Sequence, residues 1–436
     1  MRNEWSFQGV RSGWRPEGKI GETMATQNFY DIHFHAMNLA HPNILAFAKR
    51  INWRLLLLAS PLAPAAALFG FQKFKNVQNL LSVMENDAGA FFMLVEYYLR
   101  EQGPVKNGAI NIGDESFTSI VITPLLMDFG FKNIPTETFY RIPPRKPIVS
   151  QVEDVFSGIA DYCAHELREV IADGKTEYKV VDRTSNRLFE IYPFLGLNTQ
   201  NYTLAEIEKM LEKYFSDYRA RYEDFKAKLG KFEGYIDGMR SNFFAGIKLY
   251  PPIGFNPWPA ETKERAKVEC LYGFCCAKEI PLTVHCSDGG FKLHKKAADF
   301  TCPDRWISVL SDQRFGSLKL NLAHFGKQST KKYFLFSQEG WRSRILELIS
   351  YPNVFTDFSY IGVDEEHYGM LKEVYEANPA LNDKLLFGSD FMINLLDVAS
   401  YNTYLDLFCT TTSFGVAQKK SLCNTNPEKF LWRQAT

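Results

Sequence analysis

The sequence has no excess of charge of either sign. Its 50 lysines and arginines balance 50 aspartates and glutamates, so the formal net charge is zero. A protein that binds nucleic acid through its charge usually carries a basic excess, and we therefore predict no nucleic-acid partner. The chain also lacks a Gly-x-x-x-x-Gly-Lys phosphate loop and a Gly-x-Gly-x-x-Gly turn, which argues against a bound nucleotide.

Cysteine is scarce and is not arranged in pairs. None of the eight cysteines forms a Cys-x-x-Cys motif, and a chain of 436 residues can bury a core without disulfides. We therefore predict reduced thiols in a cytoplasmic protein. Residues 1–27 are polar and contain several Gly and Pro residues. We therefore predict a poorly ordered N-terminal arm rather than a signal peptide.

Long hydrophobic runs are missing as well. The stretch 55–71 is apolar, but Pro61 and Pro64 interrupt it and it is short for a membrane span. A buried or lid helix pair is the stronger interpretation, and contact with a membrane surface is the weaker one. The hydrophobic fraction of 46% is that of a globular protein with ample core.

What the sequence does contain is a series of short apolar segments that alternate with helical ones. This alternation indicates parallel strands joined by crossovers, and eight such strands close a (β/α)₈ barrel, also called a TIM barrel. The predicted strands are 28–35, 119–123, 188–197, 244–250, 282–285, 318–324, 354–358 and 384–390. We predict one distorted α/β barrel domain over residues 28–436.

The chain is longer than such a barrel needs, so the excess is placed in insertions after strands 1, 2 and 3. Large, mostly helical insertions are predicted at about 36–117, 130–186 and 199–243. The second is expected to be helical up to about Ala172. In the third, a capping box formed by Thr203 and Glu206 opens a helix that Gly230 is expected to close.

Ionisable side chains stand at the carboxyl ends of five predicted strands. His33 and His35 are separated by one residue and so point to the same side of the first strand. The remaining strand-end residues are Lys248, His285, His324 and Asp390, on strands 4, 5, 6 and 8. In a barrel these ends share one face, where active sites lie. Four of the eight histidines fall there, which core packing alone explains poorly.

Imidazoles and a carboxylate are suitable ligands for a divalent metal, most often Zn²⁺, with Mn²⁺ as an alternative. The sequence leaves one or two ions open. A metal lowers the pKa of a bound water towards 7 and so provides hydroxide at neutral pH. Asp390 could bind the metal and accept the proton, and His324 could bind a second metal or polarise a substrate carbonyl.

These motifs together resemble the amidohydrolase superfamily, in the branch that includes aminocarboxymuconate semialdehyde decarboxylase. The resemblance covers residues 28–36 and 187–435. It rests on Asp31-Ile-His33-Phe-His35, Gly246-Ile-Lys248-Leu-Tyr-Pro-Pro, Val284-His285, Leu322-Ala-His324-Phe-Gly326, Asn353-Val-Phe-Thr-Asp357, Phe387-Gly-Ser-Asp390 and the closing Asn426-Pro-Glu-Lys-Phe430-Leu.

The resemblance implies a metal-bearing barrel in which His33, His35, His285 and Asp390 are the ligands. Asp390 would be the general base, with His324 near the metal. In two-metal members a lysine on strand 4 reacts with CO₂ to give a bridging carboxylate. For Lys248 this modification and a fixed positive charge near the site are equally open alternatives.

Four further residues are weaker expectations. Asp357 ends the seventh strand and is expected to support the site. Tyr250, Trp258 and Arg305 are candidates for the substrate pocket, although core packing or solvation is the default for such residues.

The sequence thus predicts a metal-dependent hydrolase that acts on an amide, ester or lactone carbon of a small molecule. One alternative is a metal-dependent non-oxidative decarboxylase of a small carboxylic acid. Another is a barrel that binds metal or serves as a scaffold without catalysis. We expect a small-molecule substrate as partner, and homo-oligomerisation remains open.

Overall fold

The structure is a computed structural model that describes residues 27–41, 71–129, 148–172, 175–290, 292, 297, 299–328 and 339–433. The predicted N-terminal arm, apart from Gln27, lies outside these residues. So does the apolar stretch 55–71, apart from Phe71.

Thirteen strands are present in the described residues. They are β1 (Gln27–Phe34), β2 (Val105–Lys106), β3 (Ala109–Ile112), β4 (Glu115–Pro124), β5 (His165–Ala172), β6 (Lys175–Asp182), β7 (Phe189–Ile191), β8 (Phe194–Gly196), β9 (Gly246–Leu249), β10 (Leu282–His285), β11 (Leu320–Ala323), β12 (Val354–Asp357) and β13 (Leu385–Leu386).

Helices alternate with most of these strands. The α-helices in the described residues are α1 (Phe71–Met84), α2 (Ala88–Glu101), α3 (Ile148–Ala164), α4 (Leu204–Phe215), α5 (Tyr222–Lys226), α6 (Thr262–Lys278), α7 (Asp304–Leu310), α8 (Glu339–Leu348), α9 (Glu365–Ala377), α10 (Tyr401–Thr410), α11 (Val416–Lys420) and α12 (Asn426–Leu431).

The core of the molecule is built on two sheets. In one, β4 pairs in parallel with β1 and β7, and β3 and β2 extend this sheet in antiparallel pairing. The other is entirely parallel, in the order β13-β12-β11-β10-β9-β8. A parallel bridge joins Leu125 to Phe194, and another joins Phe34 to Phe391. The parallel strands therefore follow one another in a continuous series from β1 to β13 and back to β1. This confirms the predicted α/β fold with parallel strands.

The third predicted strand, 188–197, is divided into β7 and β8. Tyr192 and Pro193 separate the two pieces. Proline has no N–H to donate to a ladder, which is why pairing stops there. The strand changes partner at this point, because β7 pairs with β4 whereas β8 pairs with β9.

Two predicted helices differ from the structure. The helix expected to reach Ala172 ends at Ala164, and β5 and β6 follow it as an antiparallel hairpin. The segment 165–172 lacks the period of two that marks a strand, which is found only in β6, where Tyr178 and Val180 alternate with Glu177 and Lys179. The capping box at Thr203 is present, but its helix α4 ends at Phe215; Gly230, with φ 73°, lies in a later loop.

A buried lysine at the amino end of the strands allows a stability prediction. Lys319 precedes β11 and is 9% exposed, and within the described residues its Nζ makes a single long bond of 3.4 Å, to the Lys429 carbonyl. Burial lowers its pKa from 10.5 to about 8. We expect Lys319→Met to raise the free energy of unfolding by about 1–3 kcal/mol at pH 7, since a charged group no longer has to be desolvated.

The pH dependence of this effect has a definite sign. The pKa of Lys319 is lower in the folded state, so between about pH 8 and 10.5 the unfolded chain holds a proton that the folded chain has released. The wild type should gain stability over that window, and the advantage of Lys319→Met should shrink. Urea unfolding at pH 7 and pH 10 tests this, with the exposed Lys372→Met as control; an equal advantage at both pH values would contradict it.

Candidate metal centre

The end of β1 and the residue Asp390 form the centre of the candidate site. His33 and His35 project from the same side of β1, with ring centroids 5.5 Å apart. The backbone N–H of Asp390 donates to the His33 carbonyl at 2.7 Å, which holds the carboxylate over both rings. Asp390 Oδ1 lies 3.3 Å from His33 Nε2 and 3.0 Å from His35 Nε2. All three side chains are buried.

The rings of His33 and His35 face more hydrogen-bond acceptors than they have N–H protons to donate. The Nδ1 of His33 lies 3.0 Å from Asp357 Oδ2, and the Nδ1 of His35 lies 3.2 Å from the Leu125 carbonyl. Each ring therefore faces an oxygen acceptor at both nitrogens, yet a neutral imidazole carries one proton. A cation between the Nε2 atoms and Asp390 would satisfy the side that lacks a proton.

Charge and burial act in opposite directions at this cluster. Burial alone would raise the pKa of Asp390, but its contacts with His33 and His35 hold that pKa well below its usual range. Burial lowers the pKa of His35. Burial also acts to lower the pKa of His33, but the contacts with Asp357 and Asp390 together outweigh it and raise that pKa. Asp390 is therefore a carboxylate at neutral pH.

His285 and His324 extend the cluster from β10 and β11. His324 Nε2 lies 3.0 Å from His285 Nδ1, so the two rings share one proton, and the Nε2 of His285 has no hydrogen-bond partner in the described residues. Burial lowers the pKa of His285 well below its usual value and that of His324 to about 3. Both rings are thus neutral donors of electron pairs. His324 and Asp390 have φ values of 65° and 58°, a strained conformation typical of functional positions.

Three of these residues could share one ion. Ligand atoms of His33, His324 and Asp390 all lie within 4.8 Å of one another, and this is the one such group among the described residues. His35 contacts Asp390 directly, and His285 adjoins through His324. The group thus contains His324, which was predicted as a ligand of a second ion, and it does not contain His35 and His285, which were predicted as ligands of the first. The ligand set of His33, His35, His285 and Asp390 stays a prediction.

Lys248 and Asp357 lie beside the histidines. The side chain of Lys248 is 1% exposed, its Nζ has no hydrogen-bond partner in the described residues, and burial lowers its pKa to about 8. Asp357 accepts bonds from five donors. They are His33 Nδ1 at 3.0 Å, Asn321 Nδ2 at 2.7 Å, the His324 backbone N–H at 3.0 Å, the Ser359 backbone N–H at 3.1 Å and the Ser359 hydroxyl at 2.5 Å.

The three pocket candidates are placed differently from one another. The Tyr250 ring lies 4.7 Å from the His285 ring, at the cluster. Trp258 stacks against Arg265 at 3.6 Å, and the guanidinium of Arg305 lies 5.8 Å from the Phe300 ring. No contact described for Trp258 or Arg305 reaches the histidines, so only Tyr250 is brought to them within the described part of the chain.

Ser359 is a site residue that sequence reasoning missed. Its hydroxyl lies 3.1 Å from His33 Nδ1 and 2.9 Å from His324 Nδ1, so one oxygen contacts both rings. The signal was its position: it follows Asp357 by two residues and therefore points to the same side of the chain end. A serine in a loop is ordinarily only solvated, which is why it did not stand out.

The Ser359 hydroxyl allows a prediction for metal affinity. We expect Ser359→Ala to weaken Zn²⁺ binding by about 10-fold, because groups that orient metal-binding imidazoles typically contribute that much. Competition with a chromophoric chelator measures the affinity. Ser350→Ala, which removes a hydroxyl bonded to the Glu347 carbonyl on the surface, is the matched control. Equal affinities for Ser359→Ala and the wild type would contradict the role assigned to this hydroxyl.

Comparison with known proteins adds a family match. The family model described as amidohydrolase matches residues 235–433, a region that contains Lys248, His285, His324 and Asp390 but not β1. No curated protein sequence matches the chain.

Several solved structures match the chain at low sequence identity and low TM-score. A putative metal-dependent hydrolase from Lactobacillus casei is 14% identical, with 93% of this chain and 95% of that chain covered and a TM-score of 0.41. A uronate isomerase from Bacillus halodurans is 11% identical, with 93% of each chain covered and a TM-score of 0.43.

No helix among the described residues combines the length and apolar character that crossing a bilayer requires.

Proposed function

Because residues 235–433 match the amidohydrolase family model, we propose that the chain is a metal-dependent hydrolase. Its substrate would be a small molecule with an amide, ester or lactone carbon. The observation that carries this proposal is the buried group of His33, His324 and Asp390, whose ligand atoms lie within 4.8 Å of one another. Imidazole nitrogen and carboxylate oxygen are the ligands that Zn²⁺ and Mn²⁺ accept, and Zn²⁺ is the ion we propose.

The residues around the site fit a bound divalent ion. The Nε2 atoms of His33 and His285 are buried and lack hydrogen bonds in the described residues, while their Nδ1 atoms have partners. This leaves electron pairs directed into the cluster. When bound, such an ion would supply a Lewis acid that makes a water acidic near neutral pH.

The proton chemistry would fall to the chain's own groups. Asp390, ionised at neutral pH because of its two histidine contacts, would accept the proton of the attacking water and return it to the leaving group. His324, held at Nδ1 by Ser359 and at Nε2 by His285, would stand beside the ion with its ring fixed in place. Tyr250, next to His285, would form part of the wall that receives the substrate.

The proposal includes the wider architecture predicted from the sequence. We place the site at the carboxyl end of a distorted (β/α)₈ barrel, with insertions at about 36–117, 130–186 and 199–243. The continuous series of parallel strands supports this placement, because the cluster residues stand at the ends of β1, β10, β11 and β12 and after β13. A cytoplasmic location remains part of the proposal.

Lys248 favours a second candidate function. Its ammonium group is buried beside the cluster without a hydrogen-bond partner in the described residues. A buried cation of this kind could be neutralised by a carboxylate of the substrate. That arrangement suits a non-oxidative decarboxylase on the same scaffold, in which the carboxylate is held and leaves as CO₂.

One experiment separates these functions. The purified protein is analysed for bound metal, then assayed against lactones, amides, esters and carboxylated aromatics in H₂¹⁸O. A hydrolase incorporates ¹⁸O into its product, whereas a decarboxylase releases CO₂ from the substrate carboxylate without it. A protein that neither contains nor binds Zn²⁺ or Mn²⁺, and stays inert when they are added, would overturn both in favour of a scaffold.

A further inference from the structure

The hairpin formed by β5 and β6 has an apolar face that projects from the molecule. Ile171, Tyr178 and Val180 are 76%, 50% and 54% exposed. The two strands form a separate two-stranded sheet, and no other strand in the described residues pairs with the outer edge of β6. An exposed edge with apolar side chains is a ready surface for another strand, which proteins usually protect.

The hairpin is held firmly against the rest of the chain. Arg183, just after β6, donates from Nη2 to Glu96 of α2 at 3.0 Å, and that guanidinium and carboxylate are almost fully buried. The Tyr97 hydroxyl donates to Glu169 of β5 at 2.9 Å, and the Tyr97 ring packs against Tyr178 at 5.4 Å. These contacts fasten β5, so that β6 is presented as a fixed edge.

We propose that β6 pairs with β6 of a second copy of this chain, antiparallel about a twofold axis at Tyr178. The charges along the strand favour this occupant and this register. In an antiparallel pair related by a twofold axis, residues directly opposite each other point to the same face of the sheet. The axis must therefore pass between two copies of the same residue, and not between two neighbouring positions. Centring on Tyr178 places Glu177 opposite Lys179 of the second copy, and Lys179 opposite its Glu177.

The neighbouring registers are unfavourable. Centring on Glu177 opposes the carboxylates of the two copies of Glu177, while centring on Lys179 opposes two ammonium groups. Like charges directly opposite each other destabilise a strand pair. Within one copy, Glu177 and Lys179 form an exposed ion pair at 3.3 Å, which is weak and leaves both free to engage a partner.

The chosen register also joins the apolar faces. In the hairpin, Tyr178 lies opposite Glu169 and Thr176 lies opposite Ile171, so Ile171, Tyr178 and Val180 share one side of the sheet. Pairing through Tyr178 would extend this apolar face across a four-stranded sheet made of the two hairpins. It would place the two Tyr178 rings side by side and each Val180 next to a Thr176 of the other copy.

Charge reversal tests the proposal on the full-length protein. We expect the wild type to sediment as a dimer at micromolar concentration. Glu177→Lys and Lys179→Glu should each raise the dimer dissociation constant by about 10-fold or more, because two attractive pairs per dimer become repulsive. The double variant Glu177→Lys/Lys179→Glu restores opposite charges across the axis and should return the constant to near the wild-type value.

Two further variants make the outcome unambiguous. Lys372→Glu reverses an exposed, ion-paired lysine on α9 and should leave the dimer unchanged. Tyr178→Cys should give a disulfide-linked dimer under mild oxidation, since Cα atoms directly opposite in a strand pair are about 4.5–5.5 Å apart, which suits a disulfide. A monomeric wild type, or single charge variants that dimerise as well as the wild type, would overturn the proposal without affecting the proposed hydrolase.

Discussion

Asp390→Asn is expected to lower kcat/KM by about 10³, the scale on which a positioned acid–base group contributes to catalysis. The amide cannot accept a proton at neutral pH, and it no longer supplies the negative charge that His33 and His35 face at 3.3 and 3.0 Å. Metal affinity should fall as well, since an anionic ligand has become neutral. The loss should appear in kcat and persist when excess Zn²⁺ is added.

The fold should survive this substitution, so that the loss is attributable to chemistry. The backbone N–H of Asp390 keeps its bond to His33, and Asn tolerates the positive φ of 58° at this position. Asp406→Asn, an exposed carboxylate on α10, is the matched control and should retain full activity. Activity of Asp390→Asn within 10-fold of the wild type, at full metal content, would rule out Asp390 as the proton acceptor.

The positions of the parallel strands could be predicted well from the sequence. Leu282–His285 and Val354–Asp357 agree with the predicted segments to within one residue, because short apolar runs bounded by turn residues report burial locally. The likeness to the amidohydrolase family, in the branch of aminocarboxymuconate semialdehyde decarboxylase, is confirmed. It rests on residues at the ends of those strands. The sequence shows the positions of these residues along the chain, although it does not show how far apart their side chains lie.

What could not be predicted depends on contacts between distant parts of the chain. Ser359 contacts His33 across 326 positions, and its place two residues after Asp357 does not reveal which ring it contacts. The bond from the Asp390 N–H to the His33 carbonyl, which sets the carboxylate over the rings, is equally invisible. The predicted helix extended through β5 because the residues 165–172 do not alternate between apolar and polar.

Asp357→Asn is expected to have the largest effect on stability. Asp357 is completely buried and accepts from His33, from Asn321 and from the backbone N–H groups of His324 and Ser359. Burial alone would raise its pKa, but these contacts, His33 foremost, hold the pKa well below its usual range. An amide offers one acceptor oxygen and sets an NH₂ group against N–H donors, so several buried donors lose their partner.

We therefore expect Asp357→Asn to lower the free energy of unfolding by about 3–5 kcal/mol, the scale of a buried ion pair broken on one side. Urea unfolding in the presence of a chelator measures this without a contribution from metal binding. Asp383→Asn, an exposed carboxylate paired with Lys429, should change stability by less than about 0.5 kcal/mol. The same carboxylate orients His33 and His324, so Zn²⁺ affinity should fall at least 10-fold together with stability. If Asp357→Asn unfolds at the same urea concentration as the wild type but binds Zn²⁺ more weakly, Asp357 only orients the rings. If neither the free energy of unfolding nor the Zn²⁺ affinity changes, the hydrogen-bond network described for Asp357 is contradicted.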